Sequence, residues 1–160
     1  MLLMDVALGL VSPFDERSRA PARSMSGASR RARLSVLVVD DDPTLGMLLA
    51  ELVREFGHDA VVAANGAEAV AQVAARRPDL VLLDYEMPVM DGVTAARRIR
   101  GLPGCAELPL IMVSSRSDEA ARSEAAAAGI RQYVSKPVSP ATLGRLLDEV
   151  VAAGPPAGAP

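Results

Sequence analysis

Two short, unbroken apolar runs each end on acid. Val36-Leu37-Val38-Val39 leads into Asp40, Asp41 and Asp42, and Leu80-Val81-Leu82-Leu83 leads into Asp84. A strand that is apolar at every position, rather than at alternate ones, is buried on both faces, which is the habit of a parallel sheet packed between helices. In an open sheet of that kind, ligands bind just beyond the carboxyl ends of the strands. If the two strands are neighbours, Asp40, Asp41 and Asp84 converge there. Two bare carboxylates ~4 Å apart repel by about 4 kcal/mol at an effective dielectric of ~20. Such a cluster demands a cation or a raised pKa. Oxygen ligands with room for water suit Mg2+.

Composition narrows the remaining choices. The 160 residues are 50% hydrophobic, with two Phe, two Tyr and no Trp, so the core is aliphatic and stacking on nucleobases is not expected. One cysteine, Cys105, and one histidine, His58, exclude an internal disulfide framework and a Cys/His zinc site. A reducing cytoplasm is the expected compartment. No apolar stretch reaches the ~18 residues a membrane span needs. Met1 to Val11 is apolar, but it lacks a basic leader and carries Asp5, so it reads poorly as a signal peptide.

Residues 1–33 form one block, with six Arg against Asp5, Asp15 and Glu16, an excess of three positive charges in a chain whose net charge is −3. Its Ser, Ala, Gly, Pro and Arg composition predicts a disordered basic arm. Met25 offers a more compact start. Residues 153–160, rich in Gly, Pro and Ala, predict a flexible tail. No DNA-binding domain is expected after Ala152.

Between these ends strand and helix patterns alternate. Asp42 and Pro43 open a first helix whose apolar face is Leu45, Leu48, Leu49, Leu52, Val53 and Phe56, and Gly57 stops it. Asp59 to Ala63 is a second strand. Asn65-Gly66-Ala67-Glu68 resembles a capping box, and the helix it opens ends before Pro78. Leu80 to Leu83 is the third strand, and Asp91 caps a helix over Gly92 to Arg100. Leu110 to Val113 is the fourth strand, followed by a helix from Ser117-Asp118-Glu119 to Gly129. Gln132 to Ser135 is the fifth strand. Ser139-Pro140 opens a last helix with Leu143, Leu146, Leu147, Val150 and Val151 on one face. The expected fold class is α/β: a doubly wound, five-stranded parallel sheet with five helices, flavodoxin-like. His58 is expected in an exposed turn, and Cys105 in a loop without a role.

Four segments stand in order at the strand ends: Val38-Val39-Asp40-Asp41, Asp84-Tyr85-Glu86-Met87-Pro88-Val89-Met90-Asp91-Gly92, Ser114, and Lys136-Pro137. Together they make residues 34–152 closely resemble the receiver domain of two-component response regulators. The resemblance implies a Mg2+-dependent phosphoryl transfer from a sensor histidine kinase or a histidine phosphotransfer protein to Asp84. It implies that Asp41 and Asp84 bind Mg2+ directly, that Asp40 helps through water, and that the Glu86 backbone carbonyl is a further ligand. Asp42 serves the helix cap. Lys136, turned inward by a cis bond to Pro137, would pair with Asp84 at rest and with phosphoryl oxygen afterwards. It is the single lysine of the chain, where every other base is Arg. A compact ammonium is thereby singled out.

Ser114 matches the switch hydroxyl and Tyr133 the aromatic that moves with it. Ser115 departs from the small residue usual beside the site, and its hydroxyl would crowd or bind the phosphoryl group. Glu86 and Arg116, at the family's variable flanking positions, would pair over Asp84 and slow its dephosphorylation. The Ala-rich fourth helix buries little area and is expected to be the least firmly docked. The fourth helix, fifth strand and fifth helix would then carry the output to a downstream protein, and a phosphorylation-dependent homodimer is left open. A receiver is a phosphoacceptor that catalyses its own phosphorylation and dephosphorylation rather than a turnover enzyme. Two other readings compete. One is a receiver-like adaptor that works without phosphorylation. The other is an aspartate-nucleophile phosphatase, for which Glu86 has the right spacing but no cap segment is present.

Overall fold

Strand β1 (Ser35–Val39) is an interior strand of the sheet, and Val36 to Val39 are buried on both of its faces. The computed structural model describes residues 32–154. Most of the expected arm and tail therefore lies outside the described residues. After β1, helix α1 (Pro43–Glu55) starts where the Asp42 carboxylate accepts from the Thr44 and Leu45 amides, with Pro43 as its first residue. Gly57, at φ +94, turns the chain out of the helix. Strand β2 (Asp59–Ala63) follows, then helix α2 (Gly66–Ala75), strand β3 (Leu80–Leu83) and helix α3 (Gly92–Arg100). Strand β4 (Leu110–Ser114), helix α4 (Glu119–Ala127), strand β5 (Gln132–Ser135) and helix α5 (Pro140–Ala153) complete it.

All neighbouring strands are parallel and the order is β2-β1-β3-β4-β5. The fold class read from the sequence is the one observed. Period-two alternation splits the core cleanly. Leu37, Val39, Val81, Leu83, Leu110 and Met112 face one layer, which contains residues of α2, α3 and α4. Val36, Val38, Leu80, Leu82, Ile111 and Val113 face the other, which contains residues of α1 and α5. Full burial of each such side chain is worth about 2 kcal/mol.

Each helix start carries the expected cap. Asp91 accepts from the Thr94 amide, Asp118 from that of Ala121 and Ser139 from that of Thr142. At α2 the box is offset by one residue: Asn65 accepts from the Glu68 amide, while the Glu68 carboxylate accepts from Ala64 rather than Asn65.

Two expectations are corrected. The buried stripe of α1 is Gly46, Ala50 and Val53, while Leu45, Leu48 and Phe56 are exposed. The helix approaches the sheet so closely that small residues must face it: a Cβ on Gly46 would lie 3.2 Å from Val62. His58 is buried rather than exposed. Its Nδ1 accepts from the Leu34 amide at 3.1 Å, satisfying a donor just ahead of β1. Cys105 lies in a loop, as expected, and is buried in the core layer that includes α3.

Candidate functional site

The strand order reverses direction between β1 and β3, so their carboxyl ends flank a crevice that no crossover covers. Val39 is in register with Leu83, and the Asp84 amide donates to the Val39 carbonyl at 3.0 Å. Asp40 and Asp84 therefore leave adjacent strands side by side. Carboxylate oxygens of Asp40, Asp41 and Asp84 all lie within 4.8 Å of one another. Asp40 and Asp84 are buried, and Asp41 is exposed at the mouth.

Lys136 enters from the end of β5, whose Lys136 amide donates to the Ser114 carbonyl at 2.9 Å. Its bond to Pro137 is cis, as the resemblance implies. The ammonium lies 2.9 Å from Asp40 Oδ2 and 3.3 Å from Asp84 Oδ2. The resting partner is thus shared between Asp40 and Asp84, with Asp40 the closer, where Asp84 was expected. The remaining oxygens are also engaged: Asp40 Oδ1 accepts from the Asp42 amide at 2.9 Å and Asp84 Oδ1 from the Tyr85 amide at 2.8 Å.

Burial raises the Asp84 pKa to about 6; the charge and hydrogen bond of Lys136 oppose the rise, and the Asp40 charge adds to it. Burial alone would lower the Lys136 pKa, but its bonds and charge pairing with Asp40 and Asp84 hold it above the ordinary value. At neutral pH the site is thus an ionised carboxylate beside a fixed ammonium. A hard, all-oxygen donor set of this kind matches Mg2+ in chemistry. Asp40 and Asp84 each have both oxygens engaged, Asp84 with the longer contact to Lys136, and Asp41 stands exposed at the mouth.

The loops around this centre are set by close backbone contacts. Gly92 packs against Asp84, where a Cβ would lie 2.1 Å from the Asp84 carbonyl oxygen. The Gly92 amide donates to the Tyr85 carbonyl at 2.8 Å. Val89 adopts φ +70 in a tight turn closed by the Met90 amide on the Pro88 carbonyl, and it is 82% exposed. A β-branched residue in this conformation carries local strain.

Ser114 is buried at the end of β4, and its hydroxyl oxygen accepts from the Arg116 amide at 3.0 Å. Tyr133 is half-buried and donates its hydroxyl hydrogen to the Arg116 carbonyl. Ser115 is exposed and, with Asp40 and Lys136, lines the polar end of a groove of ≈ 420 Å³. Leu45, Leu48, Leu49, Leu52, Val113 and Val138 form its apolar wall.

The expected Glu86–Arg116 ion pair does not form. Arg116 instead grips Asp118, the cap of α4, at 2.8 Å and lies 5.0 Å from the centroid of the Tyr85 ring. A local partner two residues away costs less side-chain entropy than reaching across the site. Glu86 is exposed.

Tyr85 and Glu124 were missed by sequence reasoning. The Tyr85 hydroxyl donates to Glu124 Oε1 of α4, and the residue is only 5% exposed. Burial, together with this hydrogen bond to Glu124, pushes the Tyr85 pKa up to about 12. A signal was present: Glu124 is one of two acids in an Ala-rich helix, and it lies beside the buried Ala121 and Ala125.

A family model described as the response regulator receiver domain matches residues 36–148. An uncharacterised protein of Leptolyngbya boryana is 37% identical over 125 residues, which cover 78% of this chain and 95% of that protein. Protein PilH of Pseudomonas aeruginosa is 32% identical over 117 residues, 73% of this chain and 97% of its own length. Among solved structures, the receiver domain of sensor histidine kinase PA1611 from P. aeruginosa has a TM-score of 0.71 at 29% identity, covering 76% of this chain and 99% of that one. That structure holds a magnesium ion in its active-site cleft.

Proposed function

The chain belongs to the response regulator receiver family, and from that premise we propose that it is a phosphoreceiver whose nucleophile is Asp84. The observation that carries this reading is the ammonium of Lys136 bridging Asp40 and Asp84 at 2.9 and 3.3 Å beside the Asp41 carboxylate. A carboxylate nucleophile needs its charge balanced before another anion can approach. One oxygen of Asp84 attacks the phosphorus of a phosphohistidine, the P–N bond breaks, and its electron pair returns to the imidazole. Lys136 turns from the carboxylates toward a phosphoryl oxygen. Ser114, released from the Arg116 amide, donates its hydroxyl hydrogen to another. Asp41, Asp84, the Glu86 carbonyl and, through water, Asp40 would hold Mg2+, which supplies the charge neutralisation that the ammonium alone does not complete.

The donor is a histidine kinase or phosphotransfer protein, and the apolar groove beside α1 gives it a seat. Its wall is continuous with the site, since Asp40 and Lys136 line both. The face of α4, β5 and α5 then passes the change to a downstream protein. In the test, a phosphorylated histidine donor with a radiolabelled phosphoryl group is mixed with the protein and Mg2+. One alkali-labile label per chain, lost in Asp84→Asn, is expected. Multiple turnover with release of free phosphate from a generic phosphate ester would instead favour the phosphatase reading.

A further inference from the structure

We propose that Tyr85 is a positioning residue that carries the state of Asp84 to helix α4 through Glu124, as a second line beside Tyr133. The proposal rests on Asp84 being the phosphoacceptor. Tyr85 touches both ends of this line. Its amide donates to Asp84 Oδ1 at 2.8 Å, and its hydroxyl donates to Glu124 on α4. Between these points the residue has little freedom. Its carbonyl is held by the Gly92 amide at 2.8 Å, and Gly92 packs closely against the Asp84 and Tyr85 backbone.

The ring adds a third contact, because Arg116 lies over it at 5.0 Å. Arg116 is also where the other line ends, since its amide donates to Ser114 Oγ and its carbonyl accepts from Tyr133. Two tyrosines therefore hold one loop from opposite partners, Tyr85 by its ring and Tyr133 by its hydroxyl. Arg116 passes the restraint to α4 through Asp118, which caps the helix.

Helix α4 is sensitive to such bonds because it buries little, although Arg122 on it also lies over the Tyr133 ring at 4.8 Å. Its buried side chains are Ala121 and Ala125, which bury small areas. A hydrogen bond from a buried hydroxyl to a carboxylate is therefore a large share of its docking energy. Esterification of Asp84 neutralises the acceptor of the Tyr85 amide. The loss of that charge-assisted bond loosens Tyr85, and Glu124 loses a fixed donor. A receiver with an aliphatic residue at this position has no such second line.

Amide hydrogen exchange over residues 119–127 and intact mass are read on the same samples of wild type, Tyr85→Phe, Glu124→Gln and the double variant. Each single variant is expected to raise α4 exchange roughly tenfold in the unmodified protein, from the loss of one charge-assisted bond. The double variant should exceed neither, and exchange over α1 should not change. Asp84→Asn, which needs no phosphodonor, should raise α4 exchange in the wild-type background and not in Tyr85→Phe. After treatment with acetyl phosphate and Mg2+, Tyr85→Phe should take up the same label as wild type, with the further rise in α4 exchange at least halved. Additive single effects, or α4 exchange in Tyr85→Phe equal to wild type, overturns the proposal. If wild type gains no mass, the phosphoreceiver reading fails, and the Asp84→Asn comparison alone decides whether Tyr85 carries the state of residue 84.

Discussion

Asp84 pairs a high intrinsic cost with a specific remedy. The residue is 7% exposed, and burial raises its pKa to about 6. An acid whose folded pKa exceeds its unfolded value, ~3.9, binds more protons when folded than when unfolded between those two values. Stability from this group is present below about pH 4 and is lost as the pH rises through 6. Asp84→Asn does not titrate, so in Mg2+-free buffer its melting temperature should gain on wild type from pH 4 to pH 7. A difference that stays flat over that range would contradict the assignment. Glu86 gives a prediction of the opposite kind. With Arg116 committed to Asp118, Glu86 and Arg116 do not pair over Asp84. Glu86→Ala should therefore leave the decay rate of the aspartyl phosphate, followed by loss of label, within about twofold of wild type.

At the scale of elements, what a pattern implies and what a helix buries part company. The leucines of α1 mark an apolar face, yet the sheet takes Gly46, Ala50 and Val53 and leaves Leu48 56% and Met47 62% exposed. Periodicity gives the direction of an apolar face but not its width. Only the approach distance of the helix, set by small residues, decides which part goes inside. The same limit hid His58, whose burial follows from the need of a Leu34 amide for an acceptor rather than from any local pattern. It also hid Tyr85–Glu124, a contact across 39 residues that no spacing rule encodes. The helix caps, by contrast, were legible because each is chemistry between residues two or three apart. The exposed part of α1 carries its own prediction. Leu48→Asp should cut transfer from a phosphohistidine protein at least tenfold while labelling by acetyl phosphate stays within twofold. Equal loss with both donors would place the defect in the fold instead of the docking seat.

For the whole molecule, one topological fact gathers the chemistry. The order β2-β1-β3-β4-β5 brings the ends of β1, β3 and β5 to one rim, so residues as far apart as Asp40 and Lys136 meet at 2.9 Å. The sequence showed the strands, their parallel pairing and the acidic ends, because buried parallel strands have to be apolar throughout. It could not show that Lys136 sits closer to Asp40 than to Asp84, since side-chain geometry of a few tenths of an ångström lies beyond any pattern. The described residues include no helix long and apolar enough to cross a membrane. The central claim is that this rim accepts a phosphoryl group at Asp84. The most direct measurement is intact mass after incubation with acetyl phosphate, with and without Mg2+, on wild type and Asp84→Asn. A gain of one phosphoryl group is expected in wild type, requiring Mg2+ and absent from the variant. No gain under any condition, or an equal gain in Asp84→Asn, would contradict it and point to partners that bind the unmodified face.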